Sequence, residues 1–149
     1  MSTAEEDAKH ARLLEFIPHM REIGLQIVSA EKEACEMRLP YREDWLGDIA
    51  HGLLHPGIIT TLVDSCCGLT VMAHIGKLES IATLDLRMDY LYPAVKDHAL
   101  HCRAACYRMT PNIAFARADV WQAHEPGKII ATSQGVFMRS ARGKERHYA

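Results

Sequence analysis

PGIITTLVDSCCGLTVMAH, Pro56 to His74, is the least polar stretch of a 149-residue chain, and it holds one carboxylate, Asp64. Drawn as a helix, it carries apolar residues on every side: Ile58, Ile59, Leu62, Val63, Cys66, Cys67, Leu69, Val71 and Met72. A helix that is apolar all round is one the rest of the protein surrounds. His55 can cap it, Pro56 suits its first turn, and Gly76 suits its end.

What surrounds it is legible on either side. Past Gly76 the hydrophobic period switches to two. Leu84, Leu86, Met88 and Tyr90 alternate with Thr83, Asp85, Arg87 and Asp89. The same rhythm runs through Leu100 to Tyr107, through Ala114 to Trp121, and in a final strand over 128–138. Pro93 to Asp97, Thr110-Pro111-Asn112 and Glu125-Pro126-Gly127 are the turns. Upstream, the pattern predicts a helix from about residue 4 to 20, with Pro18 in its last turn. Two short strands over 23–28 and 34–39 follow, joined by a turn at Ser29-Ala30-Glu31, and then an ordered loop over 40–50. Long antiparallel strands after one buried helix predict an α+β fold, a curved sheet wrapped around that helix. A single domain spanning 1–149 is expected, with a frayed tail over about 140–149.

Composition narrows the function. Hydrophobic residues make up 48% and charged residues 24%, with a net charge of −2, so the chain lacks the basic excess of a nucleic-acid binder. Five cysteines, none spaced C-x-x-C, argue against a disulfide framework and for a reducing, cytoplasmic setting. No signal peptide is visible, and no uninterrupted apolar run reaches the length of a membrane span. His51, His74, His98 and His101 show no metal-ligand spacing, so neither a metal nor a cofactor is expected.

The chemistry concentrates in the apolar helix. A carboxylate in its middle is costly unless something uses or pairs it, and desolvation makes such a group a stronger base. The first helical turn offers unpaired N–H groups at the positive end of the dipole, able to polarise a carbonyl. Gly57 lets a substrate approach its N–H; Pro56 has none to offer. Gly57 and Asp64 lie about 10 Å apart along the axis at 1.5 Å per residue, whereas one reacting carbon needs base and oxyanion donor within about 3–3.5 Å. A single helix cannot supply both. If both act, Asp64 of one copy must meet Gly57 of another, and the protein is at least a homodimer.

The segment Leu53-Leu54-His55-Pro56-Gly57-Ile58-Ile59-Thr60-Thr61-Leu62-Val63-Asp64 resembles the L-H-G-G-V-x-x-x-L-x-D signature of the PaaI-like acyl-CoA thioesterases of the hotdog superfamily. Downstream, Thr83 through Tyr90-Leu91-Tyr92-Pro93-Ala94 resembles that family's next strand, which ends in Y-L-x-P-A, and 120–138 looks like its last hairpin. The resemblance covers roughly residues 22 to 139. It implies the hotdog fold, an acyl-CoA substrate and dimers that often pair into tetramers. Asp64 would be general base or nucleophile, the Gly57 N–H the carbonyl-polarising donor, His55 an orienting group, and Thr83 the hydroxyl that positions water. Asp48, Pro56 and Leu84 are the expected substrate contacts. Two departures stand out: Pro56 replaces the first glycine of H-G-G, and Asp48 lies one residue from where several relatives place an Asn.

Blander roles compete. His55 can be only a cap, Asp85 and Asp89 only solvated partners of Arg87, and Cys66 and Cys67 only packing. The basic residues Arg139, Arg142, Lys144 and Arg146 can be a solvated tail instead of a phosphate contact. Two rival functions suit the same fold: a hydratase or dehydratase of enoyl or hydroxyacyl thioesters, and a non-catalytic acyl-CoA-binding module.

Overall fold

The structure, a computed structural model, describes residues 4–77 and 79–140. The tail expected to fray lies outside them apart from Ser140, whose N–H donates to the Ser80 carbonyl (3.1 Å). In place of one N-terminal helix there are two: α1 (Ala4–Glu15) and α2 (Pro18–Glu22). Pro18 brings no N–H to the ladder, so the first helix stops short of it and a second starts with Pro18 in its opening turn. Gly24, at φ 71°, then turns the chain in the left-handed conformation that favours glycine. The first strand therefore begins later than the sequence pattern predicts.

Strands β1 (Gln26–Ala30) and β2 (Cys35–Leu39) form a hairpin. Its turn falls at 31–34, closed by the Glu31 N–H on the Ala34 carbonyl (3.1 Å). A 3-10 turn (Glu43–Trp45) leads into the small hairpin β3 (Leu46–Asp48) and β4 (Leu53–Leu54). Helix α3 (Pro56–Ile75) follows, then β5 (Ile81–Tyr90), β6 (Leu100–Met109), β7 (Ile113–Gln122) and β8 (Ala131–Arg139). Six of the strands make one antiparallel sheet in the order β1-β2-β6-β7-β8-β5. Helix α3 packs chiefly on β6, β7 and β2.

The concave face explains how the helix fits. Ala104, Ala114, Ala116, Ala118 and Ala131, with Cys35, Cys102 and Cys106, point inward and are buried. These short side chains let α3 sit close, and its Leu62, Val63, Cys66 and Cys67 fill the space completely. By length and composition α3 is apolar enough to cross a bilayer, but here eight of its residues are buried within the fold. The burial is one-sided: Thr60, Thr61, Asp64, Ser65 and Gly68 lie on a side that is only partly covered.

Three bulges bend the sheet. Single unpaired residues interrupt β1 at Val28, β5 at Leu84 and β6 at Tyr107. All three are large apolar residues that remain 44–51% exposed. A bulge adds a residue to one strand only, so it increases local twist and exchanges the two faces beyond it.

Candidate active site

The residues singled out from the sequence fall into two groups, at opposite ends of a short span of α3. At the helix start, His55 is the N-cap, and its Nδ1 accepts the Gly57 N–H at 2.9 Å. That bond requires a lone pair on Nδ1, so the neutral ring carries its proton on Nε2. The His55 backbone N–H donates to the Trp45 carbonyl (2.8 Å), which seats the helix start on the β3–β4 hairpin. Gly47 permits this approach: a Cβ there would lie 3.0 Å from the His55 Cα. A cavity of about 500 Å³ opens beside this cap, lined by Asp48, His55, Pro56, Tyr90 and Tyr92 among others.

The second group surrounds Asp64. Its Oδ1 accepts a hydrogen bond from the Thr83 hydroxyl at 2.8 Å. The Leu84 bulge sets this contact up. Before it, Ile81 and Thr83 turn toward the helix; after it, Leu86 and Met88 pack on the core, and the Tyr90 hydroxyl reaches the Pro56 carbonyl (3.5 Å) and Thr60 Oγ1. Simple alternation puts Thr83 on the face opposite Leu86, and the extra residue brings both to α3. Asp64 and Thr83 stand where two cavities meet. One, of about 590 Å³, is edged by Thr60, Thr61 and Ser65 and is rich in hydroxyls. The other, of about 520 Å³, is apolar and runs beneath the α1–α2 segment.

The structure thus brings Asp64 and Thr83 together, and His55, Pro56 and Gly57 together, but lines no one of these three cavities with both His55 and Asp64. Asp48 lines the cap cavity, with its carboxylate engaged in the β3–β4 turn: Oδ1 accepts the His51 N–H (3.1 Å) and Oδ2 pairs with His51 Nδ1 (2.8 Å). Leu84 lines none of the three and is exposed on the bulge. Cys67, beside the site, is packed away, and desolvation, reinforced by Cys66 and Asp64, pushes its thiol up, which is the wrong direction for a nucleophile. Burial likewise pushes Cys35 to about 11. Among the described residues no cluster of three His, Cys, Asp or Glu side chains is placed to hold a metal ion. Sequence reasoning missed Tyr90, which tethers β5 to the helix start, and Gly47. The signal for Tyr90 was its place in the even-numbered apolar set; nothing local distinguishes Gly47 from any loop glycine.

A carboxylate with its hydroxyl in one group, a cap and helix dipole in the other, and apolar space between strand and helix suit the hydrolysis of an activated acyl group. Comparison with known proteins points the same way. Residues 51–127, just over half of the chain, match the family described as the thioesterase superfamily. The medium/long-chain acyl-CoA thioesterase YigI of Escherichia coli strain K12 is 26% identical over 139 residues, covering 83% of this chain and 88% of its own. A Pseudomonas aeruginosa protein of known crystal structure is 38% identical, covers 87% of this chain and 95% of its own, and superposes with a TM-score of 0.76. A mutant of the phenylacetic acid degradation protein PaaI from Thermus thermophilus is 26% identical, with coverages of 83% and 99% and a TM-score of 0.72. The chain belongs to the thioesterase superfamily, as a PaaI-like protein with the hotdog fold.

Proposed function

We propose that this chain hydrolyses acyl-CoA thioesters at a site completed by a second copy of itself. The observation that carries the reading is the Asp64–Thr83 hydrogen bond at the junction of a hydroxyl-rich and an apolar cavity. The thioester carbonyl lies against Asp64 of one copy and the α3 start of the other. There the Gly57 N–H exchanges His55 Nδ1 for the carbonyl oxygen and polarises it at the positive end of the helix dipole. Asp64 takes a proton from water as the water oxygen attacks the carbonyl carbon. Collapse of the tetrahedral intermediate breaks the C–S bond, and the departing thiolate recovers the proton, giving free acid and CoA. Thr83 holds the carboxylate in the attacking orientation. The name of the YigI relative, a medium/long-chain acyl-CoA thioesterase, supports the substrate class.

The test is release of free thiol from a panel of short, long and aromatic acyl-CoAs. Asp64→Asn should lower kcat by about 10²–10⁴, the usual worth of a positioned general base, while circular dichroism and melting temperature stay near wild type. Near-wild-type turnover by that variant would remove Asp64 from the mechanism. One observation favours a second reading, a hydratase: His51 and Asp48 form a histidine–carboxylate pair close to the helix start. Its signature is loss of enoyl-CoA absorbance without thiol release.

A further inference from the structure

Gly68 sits one helical turn beyond Asp64, at position i+4 and so on the same face of α3. A glycine inside a helix costs about 1 kcal/mol relative to alanine, and a mid-helix glycine usually answers to a close approach or a left-handed backbone. Neither applies. Its backbone is ordinary helix, and a Cβ built there would meet only Ile81 Cδ1 at 3.9 Å and Phe137 Cε1 at 4.0 Å, ordinary van der Waals contacts. What the missing side chain does leave is space. Gly68 lines the apolar cavity of about 520 Å³ together with Asp64 and Thr83, and Met72, one turn further on, lines it too. Leu14, Ile17 and Met20, from α1, the linker and α2, form part of the opposite wall.

We infer that Gly68 holds open the channel for the acyl chain, and that this channel runs from Asp64 along α3 to Met72 beneath the α1–α2 segment. The inference rests on the thioesterase reading and adds to it a direction and a length. The two cavities share Ile17, Met20, Asp64, Ser65 and Thr83 and differ in what each adds: Thr60 and Thr61 on one side, and on the other a longer, mainly apolar wall that includes Gly68, Leu69, Met72 and Phe137. A thioester straddling the carboxylate therefore places its alkyl tail on the Gly68 side, where apolar area leaves water, and its CoA portion on the Thr60–Thr61 side. Eight residues separate Asp64 from Met72, about 12 Å along the helix axis. Each carbon of an extended chain advances slightly less than one helical residue, so that distance accommodates about eight to ten carbons. Gly68 guards the first half of this path, and Met72 its end.

The experiment is a chain-length profile, kcat/KM for butyryl- through palmitoyl-CoA, for the wild type, Gly68→Leu and Met72→Trp. Gly68→Leu should lower kcat/KM for decanoyl-CoA relative to butyryl-CoA by about tenfold or more, chiefly through KM. Met72→Trp should act in the same direction but only on longer chains, so that the cut-off tracks position along α3. General damage to the fold would not produce that order. Binding of decyl-CoA, a thioether that cannot be hydrolysed, is measured alongside by calorimetry. Loss of that binding in Gly68→Leu supports the channel even if no acyl-CoA is turned over, an outcome that would overturn only the thioesterase reading. An unchanged profile with unchanged thioether binding in both variants, or no thioether binding and no chain-length preference in the wild type, overturns the channel.

Discussion

In the proposed reaction the Thr83 hydroxyl acts through Asp64. It donates to Oδ1, which restrains the carboxylate and leaves Oδ2 as the oxygen to take the proton. Thr83→Val keeps the shape of the side chain but removes that donor. It should lower kcat by about 10–100-fold, the equivalent of one hydrogen bond to a charged group, with little change in KM. Thr83→Ser restores the hydroxyl and should recover most of the rate. A loss in both variants, or in neither, would assign Thr83 to packing. The residue types at this site were legible: a lone carboxylate in an apolar helix, a glycine after a capping histidine, a hydroxyl on the next strand. Their distances were not. That His55 Nδ1 occupies the Gly57 N–H depends on a rotamer, and that Thr83 meets Asp64 depends on a bulge, and neither is a pattern in sequence.

At the scale of elements, β5 carries Thr83 and is an edge strand that, among the described residues, pairs on one side only, with β8. Its leading end is held by Glu79 just before it. The Arg139 guanidinium at the end of β8 grips both carboxylate oxygens (2.9 and 3.2 Å) and donates to the Thr110 carbonyl (3.0 Å). The hydrogen bonds from Arg139, outweighing desolvation, hold the Glu79 carboxyl below the usual carboxylate range. A carboxyl depressed in the folded state stabilises the fold fully above its unfolded value, and that contribution fades as pH falls through the lower folded value. Arg139→Met should therefore cost about 1–3 kcal/mol at pH 7, and the difference from wild type should shrink as acid protonates Glu79. Thermal melts of both proteins from pH 7 down to pH 3 check it. An equal gap at both ends would mean that Arg139 stabilises by packing alone. Elements were the most legible scale: α3 and the four long strands stand where periodicity puts them, with ends shifted by up to three residues. Periodicity fails at the bulges because it assumes one face per parity, and Val28, Leu84 and Tyr107 each break that assumption.

For the whole molecule, the decisive property is that the two groups of candidate site residues, His55–Gly57 and Asp64–Thr83, face different cavities of one chain. In the proposed twofold dimer, a contact between Asp64 of one copy and Gly57 of the other occurs twice, because a twofold interface repeats every contact. The arrangement has a quantitative consequence. Take Asp64→Asn, which removes the base, and Gly57→Pro, which removes the polarising N–H in the first turn of α3 and displaces the His55 ring, whose Nδ1 would lie 2.9 Å from a Cβ there. Each homodimer carries two dead sites. In a mixed dimer, one site joins both lesions and the other joins Asp64 of one copy to Gly57 of the other, both intact. Random reassortment makes half of the dimers mixed, with one working site in two, so mixing two inactive proteins in equal amounts should recover about a quarter of wild-type turnover. Unfolding the mixture and refolding it lets the copies exchange, and thiol release reads the outcome. If base and donor instead served one site within a single chain, every copy would keep its own lesion, and the refolded mixture would stay as inactive as its parents.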